Sequence, residues 1–139
     1  MIAYLDTSSL VKLYVEEDES SKVDILVQSA ETVATSCIAY AEARAAFARR
    51  FREEAFLLDE YNRLIEVFEG DWSRYLTVNV TDSLIREAGD LAEKHSLRGF
   101  DSIHLASALT LHRELAAPIV FSCFDERLSK ATAKENLQQ

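Results

Sequence analysis

The chain has almost no cysteine, proline or glycine, and each shortage closes off a class of explanation. Its 139 residues hold two Cys, one Pro and three Gly. Cys37 and Cys123 cannot build a disulfide scaffold or a Cys-rich zinc module. They suit a reducing interior, so a cytoplasmic location is expected. Gly70, Gly89 and Gly99 stand too far apart to assemble a dinucleotide fingerprint or a Walker loop. No apolar run approaches the roughly 18 residues of a membrane span. Asp6 interrupts the run Met1–Leu5 at once, so no signal peptide is expected either. Positive charge is also scarce: 15 Lys+Arg face 24 Asp+Glu, a formal net charge of −9. Such a chain is repelled by nucleic acid, membranes and most phosphates unless its charge is locally reorganised.

What is present describes one ordinary globular domain over residues 1–139, with 48% hydrophobic and 28% charged residues and length enough for a real core. Ile2–Leu5 reads as a strand that stops at the capping cluster Asp6-Thr7-Ser8-Ser9. A short helix through Leu10, Val11 and Leu13 follows and ends in the acidic run Glu16–Glu19, a solvated turn in its simplest reading. Ser20 and Ser21 open a second helix, Thr32–Thr35 forms a second strand, and Ser36 is placed to cap a long helix running towards Phe51. Phe56, Leu57, Tyr61, Leu64, Ile65 and Phe68 share helical spacing up to Gly70; that face suits either the core or a partner surface. Tyr75–Val80 is a third strand, Thr81 caps the next helix, and Asp101–Leu115 is a very apolar helix broken by Pro118. Ile119–Phe121 is a fourth strand and Asp125 begins a last helix. Strands alternating with helices predict a helix-rich three-layer α/β/α domain around a parallel sheet of four or five short strands. In such sheets ligands bind beyond the carboxyl ends of the strands.

Asp6 and Asp125 fall at those ends, and Glu42 lies in the helix just beyond another. Each has a structural reading beside the functional one. Asp is a favoured helix N-cap, which suits Asp6 and Asp125, and Asp101 opens a helix three residues after a possible partner, Arg98. Glu42 has no such excuse. Its neighbours at three and four residues are Ile38, Ala39, Ala45 and Ala46, none able to pair with it. A carboxylate in an alanine-rich, mostly buried helix needs a cation or a metal ion. Four oxygen donors without a His or Cys cluster suggest Mg²⁺ or Mn²⁺ rather than zinc. His104 suits a satisfied core position or a hydrogen bond near Asp101. His95 and His112 suit helix ends or the surface, and both cysteines suit small buried sites.

These carboxylates sit in four recognisable blocks. Tyr4-Leu5-Asp6-Thr7-Ser8-Ser9-Leu10-Val11-Lys12-Leu13-Tyr14 and Thr35-Ser36-Cys37-Ile38-Ala39-Tyr40-Ala41-Glu42-Ala43-Arg44 resemble PIN-domain ribonucleases, especially the VapC toxins of toxin–antitoxin pairs. Leu97-Arg98-Gly99-Phe100-Asp101-Ser102-Ile103-His104-Leu105-Ala106 and Phe121-Ser122-Cys123-Phe124-Asp125-Glu126-Arg127-Leu128 supply the third and fourth blocks in order. The resemblance implies a PIN-like fold and a metal site made of Asp6, Glu42, Asp101 and Asp125, with Asp6 and Asp101 as primary ligands. It implies that Ser8 organises the first acidic loop. It further implies hydrolysis of RNA that leaves a 5′-phosphate and a 3′-hydroxyl. Two departures stand out: Cys123 takes a place usually held by Thr or Ser, and the chain ends at Gln139, where many relatives carry a further strand.

The expected function is therefore a Mg²⁺- or Mn²⁺-dependent endoribonuclease, the toxin of a VapBC-type pair. The expected partners are an RNA (tRNA, rRNA or mRNA), a VapB-like antitoxin whose C-terminal segment fills the acidic groove, and a second copy in a homodimer. Arg49 lies two helical turns beyond Glu42, in the dense basic stretch Arg44, Arg49, Arg50 and Arg52. It is placed to meet a phosphate, although Glu53 and Glu54 could equally make that stretch a balanced, solvated helix end. The alternatives are a solitary RNA-processing nuclease, or a PIN-like protein-binding module without catalysis. An aspartyl phosphatase commonly needs a second acid two residues after Asp6, where Ser8 stands. Removing the four site carboxylates from the 24 acids leaves a net charge of −5, and bound divalent ions would offset it further where a phosphate must sit.

Overall fold

A computed structural model describes residues 1–53 and 56–139; Glu54, one of the two acids weighed against the basic stretch, lies outside the described residues. The element order is β1 (Ile2–Leu5), α1 (Thr7–Lys12), α2 (Ser20–Ser29), β2 (Thr32–Ser36), α3 (Ala39–Arg52), α4 (Leu58–Trp72), β3 (Leu76–Val78), α5 (Asp82–His95), α6 (Gly99–Glu114), β4 (Ile119–Ser122) and α7 (Glu126–Lys134). The four strands form one parallel sheet in the order β3-β2-β1-β4. The sheet thus takes the lower of the expected four or five strands, and beyond β4 there is only an isolated parallel bridge, Val120 with Gln138, with Phe121 N–H donating to the Gln138 carbonyl at 2.8 Å.

All four residues of β1 are buried because helices cover both faces of the sheet. The pleat sends alternate side chains to opposite faces, so β1 feeds two cores at once. Ile2 and Tyr4 join residues of α5, α6 and α7, while Ala3 and Leu5 join those of α1, α2, α3 and α4. In the first core Tyr4 stacks on Phe121 at 5.2 Å between ring centroids. In the second, Phe68 meets the rings of Tyr14, Tyr40, Phe47 and Trp72. The helix α6 is buried almost continuously from Ser102 to Leu109 and lies at the centre of its layer, as its apolar sequence predicts.

Several local expectations need correcting. Ser36 is the last residue of β2, not a helix cap; α3 begins only at Ala39, and the Ser36 hydroxyl merely accepts a 3.4 Å bond from Ile38 N–H. The next helix closes near Gly70 as expected, at Trp72, but Phe56 and Leu57 precede it. That helix divides its apolar residues: Phe68 is core, whereas Leu58 and Val67 are exposed, as is Leu57 just before it. The third strand is shorter than Tyr75–Val80. Asp101 does not open its helix, since Arg98 occupies the N-cap and Asp101 sits in the first turn. Cys37 and Cys123 are half-buried rather than buried.

Among the described residues no helix is long and apolar enough to cross a membrane. Because Phe68 is fully buried among four aromatic rings, Phe68→Ala should cost about 3–5 kcal/mol. Urea denaturation checks this; a loss well under 1 kcal/mol would mean that the ring is not part of a packed core.

Candidate metal centre

Parallel pairing is what brings the acids together. Leu5 pairs with Ser122, so β1 and β4 end side by side, and Asp6 N–H donates to the Ser122 carbonyl at 3.1 Å. Asp6 caps α1 and Asp125 caps α7, each accepting the N–H three residues on at 2.9 Å. Both capping readings therefore hold, and neither removes the functional one. Glu42 enters from the first turn of α3 and Asp101 from the first turn of α6. All four carboxylates line one groove of about 570 Å³, together with Thr7, Ser8, Arg49, Arg98 and His104.

Their environments differ. Asp6 is only 4% exposed, and burial raises its pKa although His104 and the Ser8 and Ser9 bonds favour the charged form. Ser8 Oγ donates to Asp6 Oδ1 at 2.8 Å. Ser9 N–H ends on the same oxygen, leaving Oδ2 for a further partner. Asp125 is supported by Leu128 N–H and not by Cys123, whose Sγ lies 3.9 Å from the Asp125 backbone carbonyl. Burial, with Asp6 and Asp125 nearby, pushes that thiol up to about 12, so Cys123 stays neutral and contributes little to holding the carboxylate.

Glu42 corrects one expectation and sharpens another. Its helix is not mostly buried: Ala39, Ala43 and Phe47 face the core, while the Glu42 side chain is 27% exposed at the edge of that face. Its partners come from other elements. Thr7 Oγ1 donates to Glu42 Oε1, and His104 Nε2 lies 3.0 Å from Thr7 Oγ1 and 3.4 Å from Glu42 Oε1. On its other side His104 Nδ1 lies 3.0 Å from the Tyr4 hydroxyl. Because the Thr7 proton goes to Glu42, Thr7 Oγ1 is left to accept from His104 Nε2–H. The chain Tyr4–His104–Thr7–Glu42 thus links the core to the groove. Burial opposes ionisation of Glu42, but the bonds from His104 and Thr7 and the charge of Arg98 outweigh it and lower its pKa.

His104 is the satisfied core histidine of the first sequence reading; its bonds go to Tyr4, Thr7 and Glu42 rather than near Asp101, so it sets Glu42 instead. Thr7 escaped notice because its partners lie 35 and 97 residues away. Arg98 was visible only as a partner for Asp101, yet it reaches two acids: Nε donates to Asp101 Oδ2 at 2.9 Å, and Nη2 lies 3.8 Å from Asp125 Oδ2. Of the basic stretch, only Arg49 lines the groove among the described residues; Arg44 is taken by Tyr40 and Glu69. Glu17 also lines the groove, 3.9 Å from Lys12, so part of the acidic run is not the remote turn expected.

The donor set fits a hard divalent cation. Among the described residues no three His, Cys, Asp or Glu side chains close into a cage. Mg²⁺ does not need one: it keeps several waters and takes one or two carboxylates with oxygens of its substrate. A nearly buried Asp6 with one oxygen uncommitted, facing further carboxylates across an open groove, supplies that kind of site. Asp6 and Asp101 would hold the ion, with Glu42 and Asp125 completing its surroundings.

The PIN-domain family model matches residues 3–134. Ribonuclease VapC45 of Mycobacterium tuberculosis is 36% identical over 110 residues, which cover 79% of this chain and 76% of that protein. The crystal structure of M. tuberculosis VapC20, described as a sarcin–ricin loop cleaving toxin, superposes with a TM-score of 0.65 at 16% identity, over 93% of this chain and 94% of that one. VapBC2 from Rickettsia felis, solved with a DNA fragment from its promoter, gives 0.62 at 19% identity over 99% and 96%. At these identities the two structures speak for the fold alone.

The raised pKa of Asp6 has a definite sign. The folded chain holds a proton that the unfolded chain has already released, so stability falls as pH rises from the ordinary carboxylate value through the raised one. The penalty grows until the pH has passed the raised value. In the metal-free protein Asp6→Asn, which keeps an acceptor for Ser8 and Ser9, should therefore raise Tm at pH 7. The expected gain is about 3–5 °C for each kcal/mol recovered in a domain of this size. A thermal melt showing a clear loss of Tm would contradict the unfavourable burial of this charge.

Proposed function

The chain belongs to the PIN-domain family, and within it to the VapC-type ribonucleases, and from that premise we propose that it is a divalent-cation-dependent endoribonuclease, the toxin of a toxin–antitoxin pair. The observation that supports this reading best is that four carboxylates from four helix starts line a single groove beyond the strand ends. A bound Mg²⁺ or Mn²⁺ supplies positive charge against the scissile phosphate and eases the deprotonation of water. The residues of the chain divide the remaining work. Asp6 and Asp101 bind; Glu42, held by Thr7 and His104, is oriented to accept a proton from the attacking water; Asp125 completes the negative field. Arg49, exposed on the groove wall, meets a backbone phosphate on one side of the cut.

The partners follow from the same chemistry. A groove with this much negative charge suits a basic polypeptide segment, which is how an antitoxin would block it. Two of the solved structures with this fold are, by their descriptions, a toxin–antitoxin complex from Klebsiella pneumoniae and the VapBC2 pair. A cytoplasmic homodimer awaiting such an inhibitor completes the proposal. The RNA itself is chosen by surface shape around the groove, because every RNA offers the same phosphodiester.

Purified chain incubated with total RNA should cut it in Mn²⁺ or Mg²⁺ and stop on chelation. Asp6→Asn and Asp101→Asn should each lower the rate about 100-fold or more. Cleavage that persists in chelator, or in either variant, would remove the cation from the account.

A further inference from the structure

Arg98 is the N-cap residue of α6, yet its side chain makes no cap bond. Its guanidinium lies instead between two acids of the groove, 2.9 Å from Asp101 Oδ2 and 3.8 Å from Asp125 Oδ2. These acids come from different elements, the start of α6 and the start of α7, so one cation ties two separate walls of the groove together. The side chain is nevertheless 76% exposed. Ion pairs of that kind are weak and open readily. Arg98 therefore offers positive charge at the carboxylates where a divalent ion would sit, on an arm that is free to leave.

Building on the reading under Proposed function, we propose that Arg98 is the resident counter-ion of the groove, a positioning residue that clamps Asp101 and Asp125 in the metal-free chain and that a divalent cation must displace. The clamp has two consequences. It relieves repulsion between the acids, so the groove stays assembled without metal. It also makes the cation compete for its ligands, so that binding is weaker than four carboxylates alone would give. Arg49 supplies the internal comparison: it carries the same charge in the same groove, from α3, but pairs with none of the four acids.

The test is Mn²⁺ binding by calorimetry on the full chain, without RNA, for the wild type, Arg98→Ala and Arg49→Ala. With the clamp gone, Arg98→Ala should bind Mn²⁺ about three- to tenfold more tightly, as expected for the loss of two exposed pairs. Arg49→Ala should gain clearly less. Binding by Arg98→Ala with none detectable in the wild type would also support the clamp. Affinity in Arg98→Ala that is unchanged or weaker would overturn it while leaving the cation reading intact, as would an equal gain in Arg49→Ala, which would reduce the effect to net charge. Absence of Mn²⁺ binding in all three proteins would overturn both the clamp and the cation reading. Because Arg98 is largely exposed, the substitution leaves both cores untouched, and an unchanged circular dichroism spectrum verifies that.

Discussion

Everything in this molecule is arranged around a concentration of negative charge that the chain must hold in one place before any ligand arrives. Four carboxylates line one groove of a protein whose net charge is already −9. Like charges at short range are costly, more so for Asp6, which is almost withdrawn from water. The fold meets that cost locally. Backbone N–H groups at helix starts bind Asp6 and Asp125, hydroxyls and an imidazole bind Asp6 and Glu42, and one guanidinium spans Asp101 and Asp125. What remains unbalanced is negative charge facing the groove.

The sheet makes that concentration possible. Parallel strands end on the same side, and the helix that follows each strand starts there, with its N-terminal N–H groups pointing to a common edge. Two cores, one on each face, hold the strands in register so that Leu5 and Ser122 finish together. The aromatic cluster around Phe68 never touches the groove, but it fixes α3 and α4 against the sheet and so fixes where Glu42 enters.

Much of this was legible in the residues. Four apolar residues closed by Asp-Thr-Ser-Ser announce a strand, a stop and a cap, and β1, Asp6 and α1 follow that order. The unpaired carboxylate of Glu42 was the clearest sign that something outside its helix must meet it. The partners themselves were not legible, since His104 is 62 residues from Glu42 and joins it only because α6 packs against β2 and β4. Arg98 shows the limit most plainly. An i,i+3 pair with Asp101 can be read from sequence, whereas its reach to Asp125 depends on how α6 and α7 meet. The errors, such as Ser36 as a cap, lie at boundaries, where one or two residues of strand or turn change which group is free to bond.

The acidity that first argued against nucleic acid thus has a specific meaning: it is concentrated where a divalent cation would reverse it. The most direct measurement is anomalous diffraction from crystals grown or soaked with Mn²⁺. The account predicts a peak in the groove within about 2–2.5 Å of an Asp6 carboxylate oxygen, with Asp101 on its other side and Arg98 moved away. Full Mn²⁺ exposure with no peak beside Asp6, in crystals whose groove is open to solvent, would contradict it.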